Sequence, residues 1–205
     1  MQNNNEIGKL YRSIMETLNA SVPENWQSIY LYASVLYGRT GEMYFYYYPK
    51  RLIKSKPINC YEIADKFGID EIAYNKNLDK IYSYLKALNN LMYNKWTNVT
   101  IIMKDNFFTI EYHFDDLLHS KYNDEQRRVI WSHKYLKTPI ESLKEKDREL
   151  IENYKDECMI RPMTYTEVID KNYNDSGIKK NGFESQENTY IPERKSDIKN
   201  PFLKF

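Results

Sequence analysis

The amino-acid sequence predicts an α+β protein: an antiparallel sheet made from two β-hairpins, with helices packed on one face. Three observations predict it. Ile7, Leu10, Tyr11, Ile14, Met15 and Leu18 recur at the spacing of one helical stripe. Two pairs of β-rich runs each flank a polar connection, at Gly38–Gly41 and at Asp105–Asn106. A second helical period separates the pairs, and hairpins alternating with helices give this class rather than a parallel α/β sheet.

The first helix spans residues 5–20 and stops at Ser21–Pro23, since the residue before a proline is driven out of the α region. Ser28–Leu36 and Glu42–Tyr48 form the first hairpin. Its second strand, Met43 to Tyr48, is apolar or aromatic on both faces, so both faces are expected to be covered. Helices would cover one, and a partner or the C-terminal tail the other. Lys50–Pro57 reads as a basic loop, and Cys60–Ile69 fits helix or strand. From Asp70 the helical period returns in Ile72, Leu78, Ile81, Tyr82, Leu85, Leu88, Leu91 and Met92, with an end expected near Trp96. Asn98–Lys104 and Phe107–Asp115 form the second hairpin, with Phe108, Ile110, Tyr112 and Phe114 alternating against Phe107, Thr109, Glu111 and His113. Asn123 is a good N-cap for a helix to Leu136, Thr138-Pro139 breaks it, and Ser142–Glu157 reads as a charged last helix. The domain is assigned to residues 1–157. Residues 158–205 form an extension with thinly spread apolar residues, expected to be flexible or to order on the chain's own sheet, a second copy or a partner.

Composition excludes several function classes. Formal net charge is +1, and residues 1–157 hold 22 Lys/Arg against 22 Asp/Glu, so no basic stripe for a phosphate backbone is present. Direct nucleic-acid binding is not expected. The polar start MQNNNEIGKLYRSI lacks the apolar run of a signal peptide, and no stretch approaches the ~20 apolar residues of a membrane span, so a cytoplasmic protein is expected. Cys60 and Cys158 form no CxxC pair, which fits reduced thiols.

Catalytic and metal chemistry find little support. The three histidines, His113, His119 and His133, stand in no HxH, HExxH or Cys/His spacing, and no cofactor is expected. There is no GxxxxGK[ST], GxGxxG or GxSxG, and six glycines leave little for phosphate-cradling loops. Asp115 and Asp116, with His113 and His119 nearby, are the one catalytic-looking cluster, and a metal-dependent enzyme using that pair is the rival reading. Neighbouring strand residues point to opposite faces, however, and Asp-Asp is ordinary turn chemistry. The expectation is a non-enzyme.

Binding is the better-supported role. The 20 tyrosines suit half-buried sheets and interfaces alike. Trp96 and Trp131 read as core. Trp26, Tyr44, Tyr46, Asp115 and Asp116 are the candidate partner-binding residues, together with Phe202 and Phe205 at the C-terminus. A homo-oligomer is compatible with the same surfaces.

These residues also carry a resemblance. Pro23-Glu24-Asn25-Trp26 followed by Ile29-Tyr30-Leu31-Tyr32-Ala33, then Glu42 to Tyr47, resemble the opening of YezG-like proteins. Trp96 to Thr100, Ile110 to Asp116 and Arg127 to Leu136 are similar to the family's second hairpin and late helix, so the likeness covers roughly residues 6–157. The resemblance implies an immunity protein, an antitoxin that binds and neutralises a cognate toxin of the type VII secretion system, a nuclease in the family's staphylococcal branch. Family members tend to be acidic, whereas this core is neutral. An adaptor protein with no toxin is the further alternative.

Overall fold

The computed structural model describes residues 2–51, 55–104, 107–160 and 166–172. Its first element, α1 (Gln2–Ala20), buries the predicted stripe through Tyr11, Ile14, Met15 and Leu18. The helix ends where Ser21 N–H reaches back to the Thr17 and Leu18 carbonyls, ahead of Pro23.

Strands β1 (Trp26–Ser34) and β2 (Met43–Pro49) pair antiparallel, with Leu31 opposite Phe45 and Tyr32 opposite Tyr44. The short β3 (Ile58–Asn59) adds to β2 and runs into α2 (Cys60–Phe67). The ambiguous segment is thus resolved by local chemistry. The Asn59 side chain caps the helix by accepting from Tyr61 N–H, and Gly68 closes it at φ 63°, the left-handed region that glycine takes without penalty. α3 (Glu71–Leu91) starts at an Asp70 cap that accepts from Ala73 N–H. It stops short of the expected end near Trp96. Lys95 Nζ donates to the carbonyls of Asn89, Asn90 and Met92, and Asn89 Nδ2 donates to Trp96 O at 2.6 Å, so side chains satisfy the end of the helix.

The second hairpin is β4 (Asn98–Lys104) and β5 (Phe107–His113), in register from Lys104 opposite Phe107 to Asn98 opposite His113. The expected turn residues Asp105 and Asn106 lie outside the described residues. β4 lies against β1, Thr100 opposite Tyr32, which joins the hairpins. A last strand, β6 (Thr166–Asn172), pairs with β5, and the sheet order is β3-β2-β1-β4-β5-β6.

Alternation along the strands assigns the two faces. One carries Ile29, Leu31, Phe45, Tyr47, Val99, Ile101, Met103, Phe108, Ile110 and Tyr112, all buried in the main core with the apolar sides of α1 and α3. The Tyr11 and Tyr112 hydroxyls meet at 2.9 Å on this side. Helices on one face of an antiparallel sheet from two hairpins are what the sequence predicts. The other face carries Tyr30, Tyr32, Tyr44, Tyr46 and Thr100, and the structure adds a helix there. α4 (Asp124–Tyr135) places Trp131 among Tyr32, Tyr44 and Tyr46, ring centroids 6.1, 5.3 and 6.1 Å away, with its Nε1–H donating to Thr100 Oγ1 at 3.0 Å. A partner or the tail is therefore not needed over these residues. Asn123 and Gln126 form a reciprocal capping box at the start of α4. α5 (Glu145–Ile160) packs outside it through Leu150 and Ile151 against Ile130.

The β1–β2 connection depends on close approach at Gly41. A Cβ there would lie 2.0 Å from Ser34 O and 2.4 Å from Tyr82 Oη, which itself donates to Ser34 O. Gly41→Ala is expected to destabilise the chain by about 1–3 kcal/mol, read as a lower urea midpoint at unchanged m-value. An unchanged midpoint would show that the loop yields freely.

Candidate partner-binding surface

The register brings three connections to one end of the sheet. Ser34 lies opposite Asn98, Asn98 opposite His113, and Ala33 opposite Met43. The segments 35–42, 92–97 and 114–123 therefore leave from adjacent strand ends, and hydrogen bonds tie their bases together. Val35 N–H donates to Thr97 O and Thr97 N–H to His113 O, both at 2.9 Å. Glu42 N–H donates to Ser34 Oγ, and Asn98 Nδ2 to Asp115 Oδ2 at 3.3 Å.

Large apolar side chains stand in solvent on all three. Tyr37 is 101% exposed, Tyr93 98% and Leu118 47%. Isolated exposed hydrophobics are ordinary, whereas exposed aromatic rings on neighbouring, mutually braced loops have the composition that binding hot spots use. Tyr37 precedes Gly38 at φ 74°, which turns the chain sharply at that ring. Arg39, Asn94, Asp116 and His119 are the exposed polar neighbours in these segments.

Of the sequence-predicted residues, Asp115 and Asp116 belong to this end, and they do different work. Asp115 is half-buried and engaged by Asn98. Asp116 is exposed and bonded to His119, 2.8 Å to the ring Nδ1 and 3.2 Å to the backbone N–H. The His119 side-chain and backbone bonds hold the Asp116 carboxyl below the usual carboxylate range. Among the described residues no three His, Cys, Asp or Glu side chains converge on a metal-sized site.

The others lie apart. Trp26 is at the opposite end of the sheet, with Nε1–H donating to Asn19 Oδ1 at 2.9 Å. It lines an open groove of about 840 Å³ with Val22, Pro23, Glu24 and Lys50. Tyr44 is 1% exposed, beneath α4 with the Arg128 guanidinium 4.5 Å from its ring centroid. Tyr46 is half-buried and stacked on Trp131. A partner reaches Tyr44 only if α4 leaves. Phe202 and Phe205 lie outside the described residues. Sequence reasoning missed Tyr37 and Tyr93, although both stand beside turn residues, Gly38 and Asn94, where the chain has no core to enter.

A family model described as immunity protein YezG-like matches residues 7–152. The chain belongs to the YezG-like immunity protein family. It is 29% identical over 137 residues to "Immunity protein YezG" of Bacillus spizizenii (strain ATCC 23059 / NRRL B-14472 / W23), covering 64% of this chain and 83% of that protein. It is 28% identical over 150 residues to "Immunity protein YezG" of Bacillus subtilis (strain 168), covering 71% and 96%. The YezG-like match takes in the three braced loops and the Trp26 groove. No described helix is long and apolar enough to cross a membrane.

His113 lies just below the loops, under α4. Its Nε2 is 3.3 Å from Tyr135 Oη and 3.9 Å from Glu111 Oε2, while Tyr135 donates to Glu111 at 2.6 Å. Desolvation first, then Lys134, lowers the His113 pKa from its ordinary 6.5, against the opposing pull of Asp115 and Glu111. The folded chain thus binds fewer protons than the unfolded one. This contribution to stability is full above pH 6.5 and is lost as pH falls through the lowered folded value. Urea midpoints measured from pH 7.5 downward are expected to fall, and His113→Asn to flatten that slope. Equal slopes in both chains would remove His113 as the cause.

Proposed function

We propose that this protein is an antitoxin that binds a cognate toxin of the type VII secretion system and neutralises it without catalysis of its own. It works in the cytoplasm and needs no cofactor. One observation carries the reading beyond family membership: two nearly fully exposed tyrosines stand on loops whose bases are hydrogen-bonded to one another. Such a surface is costly to leave in water and cheap to bury, because tyrosine has few rotamers to lose. A standard-sized interface of roughly 800 Å² per partner would cover the three loops and little else.

The neutral core supports docking by shape and aromatic anchors rather than by acidic mimicry of a nucleic acid. A nuclease toxin, the activity the family resemblance points to, would then be held at a surface other than its basic groove. Asp115 accepts from Asn98 and Asp116 is bonded to His119, contacts that brace a loop and so favour binding over a metal-dependent enzyme. An adaptor with no toxin would bind without protecting a cell.

Co-expression with the toxin encoded beside it should restore growth, and the two chains should purify as a complex. Tyr37→Ala and Tyr93→Ala should each weaken that complex by about 2 kcal/mol or more, roughly thirtyfold. Because both rings are solvent-exposed, the thermal midpoint of the free protein should not move. Full affinity in the double variant would move the docking surface elsewhere, and binding without protection would favour the adaptor.

A further inference from the structure

The sheet has two edges, and the chain treats them differently. At one end β3 offers only Ile58 and Asn59, too short to template another strand. At the other end β6 pairs with β5 from Asn172 opposite Phe107 to Thr166 opposite His113, without a register shift. In an antiparallel strand, alternate residues aim both N–H and C=O to the same side, so roughly half of β5 depends on β6 for its partners.

The two strands differ in what they would offer if left bare. β5 reads Phe107-Phe108-Thr109-Ile110-Glu111-Tyr112-His113, rich in aromatic and β-branched residues and therefore a good template for a further strand. β6 reads Thr166-Glu167-Val168-Ile169-Asp170-Lys171-Asn172, with charge at three of seven positions, as edge strands that resist further addition do. The YezG-like match runs from residue 7 to residue 152, so it includes β5 and ends before β6. The Bacillus subtilis relative is matched over 96% of its own length, which leaves it no room for a comparable extension.

We propose that the outer edge of β5 is a strand-docking site, and that residues 166–172 are its separable occupant in cis. The main-chain pairing supplies the affinity of such a site, and a tethered occupant contests it at high effective concentration. The proposal does not depend on the antitoxin reading, because it concerns the edge and not the toxin.

Hydrogen exchange resolved by residue tests it on three proteins: the full chain, a chain ending at Ile160, and full-length Val168→Pro/Ile169→Pro. Two adjacent prolines are needed because one of any two neighbours directs its N–H at β5. In both variants about half of the β5 amides should exchange at least tenfold faster, with the amides of β1 and β2 unchanged. A synthetic peptide of residues 164–174 should restore protection to the shortened chain. Alternatively the shortened chain should pair with itself and sediment at twice its mass, which equally shows an edge that accepts a strand. Unchanged β5 protection in both variants as monomers would overturn the proposal. So would loss of protection throughout the sheet, which would make β6 part of the cooperative core, and so would a monomeric shortened chain that ignores the peptide.

Discussion

The central strands have no face to give to water, and the rest of the architecture answers that constraint. In β2, Phe45 and Tyr47 point one way while Tyr44 and Tyr46 point the other, and none of the four is exposed. A sheet with two apolar faces must be the middle of three layers. α1 and α3 supply one outer layer and α4 the other. The tyrosine excess follows from the same constraint, because a ring can fill the core while its hydroxyl reaches a partner at the rim. Tyr48 donates to Leu136 O, Tyr47 to Glu24, Tyr61 to Met43 O and Tyr82 to Ser34 O. Phenylalanine would fill these positions but would tie nothing together.

The two layers are held by different physics. The α1/α3 side is mostly aliphatic, with the Tyr11–Tyr112 and Tyr82–Ser34 hydrogen bonds adding polar ties to a fit made chiefly by shape. The α4 side is aromatic and polar: Trp131 bonded to Thr100, Tyr135 to Glu111, Arg128 over the Tyr44 ring and 3.6 Å from Glu42. Hydrogen bonds of this kind add modest net stability, yet leaving one unmade in a buried setting costs more, so they select one seating of the helix. The Tyr44 hydroxyl itself is buried with no hydrogen-bond partner among the described residues, while the Arg128 guanidinium lies over its ring. The end of β5 fixes where the 114–123 segment begins and the seating of α4 fixes where it ends, with Asp116, Leu118 and His119 between them.

Local chemistry was legible in the sequence and long-range assignment was not. The Asn123 cap, the Pro23 stop and the alternation through β4 and β5 depend on neighbours in the chain, and each stands where its chemistry places it. Cys60–Phe67 was readable by the same means, since Asn59 and Gly68 bracket it, but eight residues carry too short a period to decide alone. Tyr44 and Tyr46 show the other side. An aromatic strand face fits a partner or a helix equally well, and the choice is made by Trp131, some 85 residues onward, when α4 folds back. Tyr37 and Tyr93 were hidden for a related reason: their significance is that three loops meet at one end, a property of the β1–β4 register and not of any one segment.

That register also explains why a surface made of loops can be stiff. Loops usually lose conformational entropy on binding, which subtracts from affinity. Here Val35, Thr97 and His113 run one hydrogen-bonded line across the bases of all three, Asn98 holds Asp115, and Ser34 holds both ends of the first connection. The exposed rings therefore ride on backbone that is already ordered by the sheet. Gly41 makes the same point sterically, because its missing side chain is what lets Tyr82 of α3 lock the first connection against β1. A protein whose proposed task is to recognise rather than to react gains most from this arrangement: the sheet supplies rigidity and the loops supply chemistry.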